Sequence, residues 1–203
     1  QFHDELSKKA VAYINADMAA CGPHFGAAAS PSLKRPIFDA TRAVLYPGTD
    51  RSVFDTWRKE ADTPNIGNLG GGSDHIAFYM HVGIPSAGLG MGGFTPYHTA
   101  YDNLAWYERF ADPDYVFGPA VAKVHGGLAT RLANADILPY DLESYPSDLL
   151  EHVEALEKRS DDLNMPLRLN LMKSSIYELD QAAKGFQNVC KRTFPTGELT
   201  DKL

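Results

Sequence analysis

The chain has 203 residues, which is long for one average domain and short for two. Its 44% hydrophobic and 22% charged residues are typical of a globular protein, which excludes a disordered or collagen-like chain. The net charge of -7 and the lack of a basic stripe argue against nucleic acid and anionic membrane surfaces as partners, and no apolar run reaches the roughly 20 residues of a membrane span.

Residues 1–137 are predicted to form an α/β unit. An apolar run within residues 8–17 has strand length and ends at Asp17, as a buried strand of a mostly parallel sheet often does. Apolar residues at helical spacing predict four later helices, over residues 32–45, 51–61, 76–82 and about 112–136. A stretch rich in glycine, alanine and proline covers residues 21–32, and the segments 62–72 and 88–97 are predicted to be loops. Residues 83–87 resemble a turn that leads into a short strand.

Residues 138–203 are predicted to be helical throughout, because no strand-like run follows Pro139. One amphipathic helix covers residues 147–159, and a second opens near Pro166. The second helix carries apolar residues at alternating spacings of four and three: Met165, Leu169, Met172, Ile176, Leu179, Ala183, Phe186 and Cys190. One helix of about 13 residues cannot cover such a seam, so further helices or a second chain are implied.

Two residues could carry chemistry. Asp17 follows a predicted strand, and the carboxyl ends of strands are where open α/β sheets hold ligands. A carboxylate at that place is either a metal ligand or a cap for the next turn. His98 lies in a loop rich in glycine and proline with aromatic neighbours, where it is either a zinc ligand or base, or a surface histidine with a local hydrogen bond.

A glycine-rich loop at residues 70–72 continues through Ser73 into a predicted helix. Such a loop can receive an anion or a substrate backbone at the helix start. It is not a Walker A motif, because no Gly-Lys-Ser/Thr follows, and it is not a Rossmann fingerprint, because it follows a loop. The simpler alternative is a flexible turn with Asp74 as the helix cap.

Several segments occur in an order and at spacings that resemble one known family. They are YINAD at 13–17, LGGGSD at 69–74, GIPS at 83–86, YHTAYD at 97–102, AKVHGG at 122–127 and LANADILPY at 132–140. The chain resembles the carboxyl-terminal half of the M28 metallopeptidases, in the branch of glutamate carboxypeptidase II and the transferrin receptor. The resemblance covers roughly residues 8–190.

The resemblance implies an α/β fold in two parts. Residues 1–137 would be the carboxyl-terminal portion of a zinc-exopeptidase domain, a phosphorylase/hydrolase-like mixed sheet with helices on both faces. Residues 138–203 would be an all-helical, transferrin-receptor-like dimerisation domain, truncated here, that forms a homodimer. Relatives of this kind act outside the cytoplasm, so the resemblance also implies an extracytoplasmic parent protein.

The resemblance also implies a site with two zinc ions that hydrolyses peptide substrates through a metal-bridged water. Asp17 matches a ligand of one zinc ion, and His98 matches a ligand of the other. Tyr97 matches the tyrosine that steadies the tetrahedral intermediate. Gly72 and Ser73 match the loop that lines the substrate channel.

The chain departs from the family pattern in two respects. In the family, the other zinc ligands and the glutamate base precede the position of Asp17, but Glu5 is the only glutamate before Asp17 here. We therefore expect a fragment of a longer peptidase that is inactive by itself and binds zinc weakly or not at all. The family's arginines after the GIPS-like turn are replaced by AGLG at 87–90, so we expect no preference for acidic residues on the non-prime side.

Two other functional classes remain open. One is a non-catalytic binding and dimerisation module like the transferrin receptor, and the other is a purely structural helical domain with an attached remnant. A binding module has no need of zinc ligands, so the presence of both Asp17 and His98 favours the peptidase.

Overall fold

The computed structural model describes residues 2–193 and consists of two compact units, with the boundary between Tyr140 and Asp141. The first unit combines helices with a small mixed sheet, and the second is helical. The chain is therefore mixed α/β, as the sequence predicts. The assignment of the two units to a peptidase portion and a dimerisation domain stays a prediction.

The first unit contains three strands and six α-helices within the described residues. In chain order they are α1 (His3–Lys9), β1 (Tyr13–Asn15), β2 (His24–Ala29), α2 (Lys34–Arg42), α3 (Val53–Trp57), α4 (His75–Tyr79), β3 (Ser86–Gly92), α5 (Leu104–Trp106) and α6 (Phe117–Ala133). A 3-10 turn at Pro31–Leu33 precedes α2, and a π-helical turn at Tyr107–Ala111 follows α5.

The sheet has the order β1-β3-β2, so β3 lies in the middle. β1 runs parallel to β3 and β2 runs antiparallel to it. The prediction of a loop over residues 88–97 is wrong for residues 88–92, because β3 continues through Gly92, and β2 occupies a stretch for which no strand was predicted. Backbone pairing on both sides of β3 outweighs the low strand propensity of its glycines.

The core lies against one face of this sheet. Alternate residues of β3, namely Ala87, Leu89 and Met91, are buried, and they belong to one cluster with the apolar faces of α2 and α6. The helix residues of this cluster share helical spacing and are almost completely buried: Ile37, Ala40, Val121, Val124, Leu128 and Leu132. The other face of β3 carries glycines, which leaves that side of the sheet without bulk.

The start of α6 is fixed by a single buried side chain. The carboxylate of Asp112 accepts hydrogen bonds from the backbone amides of Val116, Phe117 and Gly118 at 2.8 to 3.0 Å. These amides have no partner inside the helix, and a carboxylate also favours the positive end of the helix dipole. The sequence placed the helix start at Asp112, but the helix itself begins five residues later, at Phe117.

The second unit packs α7 (Ser144–Asp162) against α8 (Asn170–Thr193). Lys173 and Glu157 join the two helices through a 2.6 Å ion pair. The last helix begins at Asn170 rather than near Pro166. The hydroxyl of Ser160 explains part of this difference, because it donates to the carbonyl of Met165 and accepts from the amide of Leu167, at 2.5 and 3.2 Å.

The apolar seam predicted for α8 is only partly covered. Ile176 and Ala183 are buried, whereas Met172, Leu179 and Phe186 are 43 to 53% exposed.

Among residues 2–193, none of the helices combines the length and the hydropathy needed to cross a membrane.

Candidate functional site

Asp17 lies in a turn just beyond the carboxyl end of β1 and borders a cavity of about 300 Å³. Its lining residues come from β1 and the turn after it, from β2 and β3, and from the loop before α4 and the first residue of α4. The lining residues are Asn15, Asp17, Gly26, Ala27, Ala28, Leu69, Gly70, Ser73, His75, Gly88, Leu89 and Gly90. The cavity therefore combines one carboxylate and one imidazole with an otherwise uncharged wall.

A chain of three hydrogen bonds leads to the Asp17 carboxylate. The hydroxyl of Ser73 donates to Oδ2 of Asp17 at 2.5 Å. Ser73 in turn accepts from Nδ2 of Asn15 at 2.9 Å, and the phenol of Tyr13 donates to Oδ1 of Asn15 at 3.2 Å. The two alternatives for Asp17 were a metal ligand and a cap for the next turn, and its hydrogen bond goes to Ser73 rather than to that turn.

Hydrogen bonding also sets the charge of this carboxylate. The hydrogen bond from Ser73 is the main cause that lowers the pKa of Asp17 below its usual value, and the nearby His75 acts in the same direction. Burial, with the negative charges of Asp74 and Asp17, raises the pKa of the Tyr13 phenol. At neutral pH this series of hydrogen bonds therefore begins at the protonated phenol of Tyr13 and ends at the ionised carboxylate of Asp17.

Two residues at this cavity were not predicted to belong to the site. Asn15 is buried in β1, and its position two residues before Asp17 was the available signal, because residues at that spacing share a strand face. His75 is 6% exposed, and its Nε2 lies 2.9 Å from the carbonyl oxygen of Gly70. No local sequence signal groups His75 with Asp17, because the two residues are 58 positions apart along the chain.

Gly72 and Ser73 occupy the loop predicted to line a substrate channel. Gly72 has a φ of +83° with open space around it, so backbone conformation rather than crowding calls for glycine. Ser73 borders the cavity beside Asp17, whereas Gly72 is not among its lining residues. Asp74 occupies the N-cap position of α4, as the sequence predicts, but its side chain makes no capping hydrogen bond.

Tyr97 and His98 lie on an exposed turn of the first unit. His98 has a φ of +62°, in the left-handed region, and its ring stacks on that of Tyr97 with 3.7 Å between centroids. The Thr99 hydroxyl donates to the carbonyl of Pro96 at 2.6 Å and closes the turn. The structure thus brings Asp17 and Ser73 together, but Tyr97 and His98 are not among the residues of their cavity.

The donor atoms of the described residues do not fit a complete zinc site. A carboxylate and an imidazole are ordinary zinc ligands, and a catalytic zinc ion takes three protein ligands. Within residues 2–193, no three His, Cys, Asp or Glu side chains converge on one point where a metal could bind. Asp17 and His98 could therefore each serve only as one ligand of a larger set.

Comparison with known proteins finds similar sequences among peptidases. A probable glutamate carboxypeptidase of Arabidopsis thaliana is 36% identical over 204 residues, which cover 98% of this chain and 30% of that protein. A probable glutamate carboxypeptidase of Zea mays is 38% identical over 89% of this chain and 25% of its own length. The aminopeptidase NAALADL1 of Mus musculus is 29% identical over 78% of this chain and 24% of its own length.

These similarities support a relationship to a glutamate carboxypeptidase II-like family, which agrees with the resemblance seen in the sequence. No family model matches the chain. The chain spans 24 to 30% of the length of these three curated relatives. Assignment to the M28 group and the roles of individual residues stay predictions.

Proposed function

We propose that this chain is part of a zinc-dependent peptidase of the M28 type. The observation that carries the proposal is the position of Asp17, an ionised carboxylate beyond the carboxyl end of β1 that Ser73 holds at the edge of a cavity. The names of the similar proteins, carboxypeptidase and aminopeptidase, add support for peptide hydrolysis.

In the proposed enzyme, Asp17 is a ligand of one zinc ion and His98 is a ligand of the other. Tyr97 would steady the tetrahedral intermediate through a hydrogen bond from its phenol, and the loop with Gly72 and Ser73 would line the substrate channel. Zinc supplies a Lewis acid for the carbonyl and an activated water when it is bound. The remaining ligands and the general base would come from residues beyond those described.

The wall of the cavity bears on the choice of substrate. Apart from Asp17 and His75, its lining residues carry no ionisable side chain. An acidic substrate side chain would lose its water there without gaining a charged partner. We therefore propose that the enzyme has no preference for substrates with an acidic residue on the non-prime side, where this cavity would bind it.

The proposal is tested first on the 203-residue chain. Because it brings only two of the proposed ligands, we expect less than one zinc ion per chain by elemental analysis after gel filtration, and no release of amino acids from a dipeptide library. Two tightly bound zinc ions per chain would contradict the proposed incomplete ligand set.

The second test uses a protein that extends this chain to the length of its relatives. We expect the substitutions Asp17→Asn and His98→Gln each to lower kcat/KM for dipeptides by several orders of magnitude and to reduce bound zinc. Asp50→Asn, at an exposed carboxylate away from the cavity, is the matched control. A protein without zinc and without peptidase activity would instead indicate a binding module.

A further inference from the structure

The hydrogen bonds between Asp17, Ser73 and Asn15 connect parts of the first unit that are distant in sequence. Asn15 and Asp17 belong to β1 and the turn after it, whereas Ser73 lies in the loop before α4. The bonds to Ser73 span 58 and 56 residues of chain. They join the end of the strand to the loop at a place where Asp17 itself is exposed.

The negative charge of the Asp17 carboxylate determines the direction of all three hydrogen bonds that link Tyr13, Asn15, Ser73 and Asp17. An ionised Asp17 can only accept, so the single proton of the Ser73 hydroxyl must point to it. Ser73 can then only accept from Asn15, which fixes the amide nitrogen of Asn15 toward Ser73 and its oxygen toward the Tyr13 phenol. No other assignment of the protons satisfies all three bonds.

We propose that Asn15 and Ser73 are positioning residues that hold the Asp17 carboxylate in one side-chain rotamer, with Oδ2 committed to Ser73. An exposed aspartate without such partners exchanges among rotamers on a fast timescale. Asn15 is 8% exposed and Ser73 is half-buried, so both are anchored in the first unit, to which Asp17 also belongs. The meaning of this rotamer for catalysis rests on the proposed function, but the positioning itself does not.

The test measures the Asp17 rotamer directly. In the 203-residue chain with chelator present, we expect two unequal three-bond couplings between the α and β protons of Asp17. Ser73→Ala should bring the two couplings toward a common averaged value while amide signals distant from residues 13–17 and 73 keep their positions. Ser73→Thr keeps the hydroxyl and should keep the couplings unequal.

Ser7→Ala is the matched control, because the Ser7 hydroxyl donates to the backbone carbonyl of Asp4 and takes no part in the hydrogen bonds that lead to Asp17. Should Ser73→Ala fail to fold, Ser73→Cys provides a nearly isosteric variant whose thiol is only a weak donor. Unequal couplings in a folded Ser73→Ala or Ser73→Cys protein would overturn the positioning role. Because the measurement needs no metal, a fixed Asp17 rotamer together with an inactive protein of the length of the relatives would contradict only the proposed function.

Discussion

The carboxylate of Asp112 accepts a hydrogen bond from the phenol of Tyr107 at 3.3 Å, and it also accepts hydrogen bonds from three backbone amides at the start of α6. Asp112 is completely buried. One side chain thus links the π-helical turn of residues 107–111 to the longest helix of the first unit. Burial, followed by the negative charge of Asp112, raises the pKa of Tyr107, which keeps the phenol protonated as a donor.

Replacing Asp112 with asparagine should destabilise the first unit. The amide keeps one acceptor oxygen but turns an NH₂ group toward backbone donors, which leaves buried groups unsatisfied, and the loss is expected to be about 2 kcal/mol. Urea unfolding followed by tryptophan fluorescence measures it, since Trp57 and Trp106 both lie in this unit. Tyr107→Phe removes one of the four bonds and should cost about half as much; an unchanged midpoint for Asp112→Asn would contradict the capping role.

Truncation of Leu128 should reveal how tightly α6 packs on the sheet. Leu128 is completely buried within the main cluster, so Leu128→Ala is expected to cost about 2 to 5 kcal/mol through lost burial and a residual cavity. The same change at Leu104, which is 65% exposed, is the control and should cost less than about 0.5 kcal/mol. Equal effects at the two positions in urea unfolding would contradict this packing.

His125 should make the stability of the first unit depend on pH. Its imidazole is half-buried, with Nε2 3.2 Å from the carbonyl oxygen of Leu89, and burial lowers its pKa below the ordinary 6.5. As the pH falls below about 7, His125 takes up a proton in the unfolded chain more readily than in the folded chain. The free energy of unfolding therefore decreases as the pH falls from about 7 to the lowered pKa of the folded state. The contribution is fully present above that window.

His125→Gln keeps a donor for the Leu89 carbonyl and removes the titration. We expect the urea midpoint of this variant to change less than that of the wild type between pH 7 and pH 5. His24→Gln, at the exposed start of β2, serves as the control. Parallel pH profiles for the wild type and His125→Gln would show that His125 does not carry the effect.

The exposed part of the α8 seam should hold two chains together if the proposed homodimer forms. The substitutions Leu179→Lys and Phe186→Glu each place a charge in the apolar contact between the two chains. We expect the molecular mass measured by light scattering to fall from that of a dimer to that of a monomer. Gln181→Lys, at an exposed polar position of the same helix, should leave the mass unchanged. A wild-type monomer at high concentration would contradict the dimer.

Helices were predictable here where one apolar face repeats at helical spacing. The sequence placed Leu33, Ile37, Ala40 and Val44 on one side of a helix, and all four are buried in the structure. Only the start of β3 was predicted, because its buried positions alternate with glycines, whose low strand propensity conceals a central strand. Strand pairing supplied by distant residues decides its conformation.

The candidate site was predictable in part for a similar reason. Asp17 could be singled out because it follows a strand-like run, which is a local signal. Its bond to Ser73 depends on how the loop before α4 returns to the sheet, and nothing near either residue encodes that distance. The residue types at 97 and 98 suggested chemistry, but the left-handed backbone of His98 is set by the turn around it.

The central position of β3 also determines the order in which this unit can be assembled. β1 and β2 are made first, yet each finds its partner in the sheet only in β3, the last of the three described strands. A nascent chain that ends before Ser86 therefore holds two strands that cannot pair as they do in the finished sheet. Such long-range pairing slows folding, so the growing chain must keep its apolar segments from aggregating until residues 86–92 have left the ribosome.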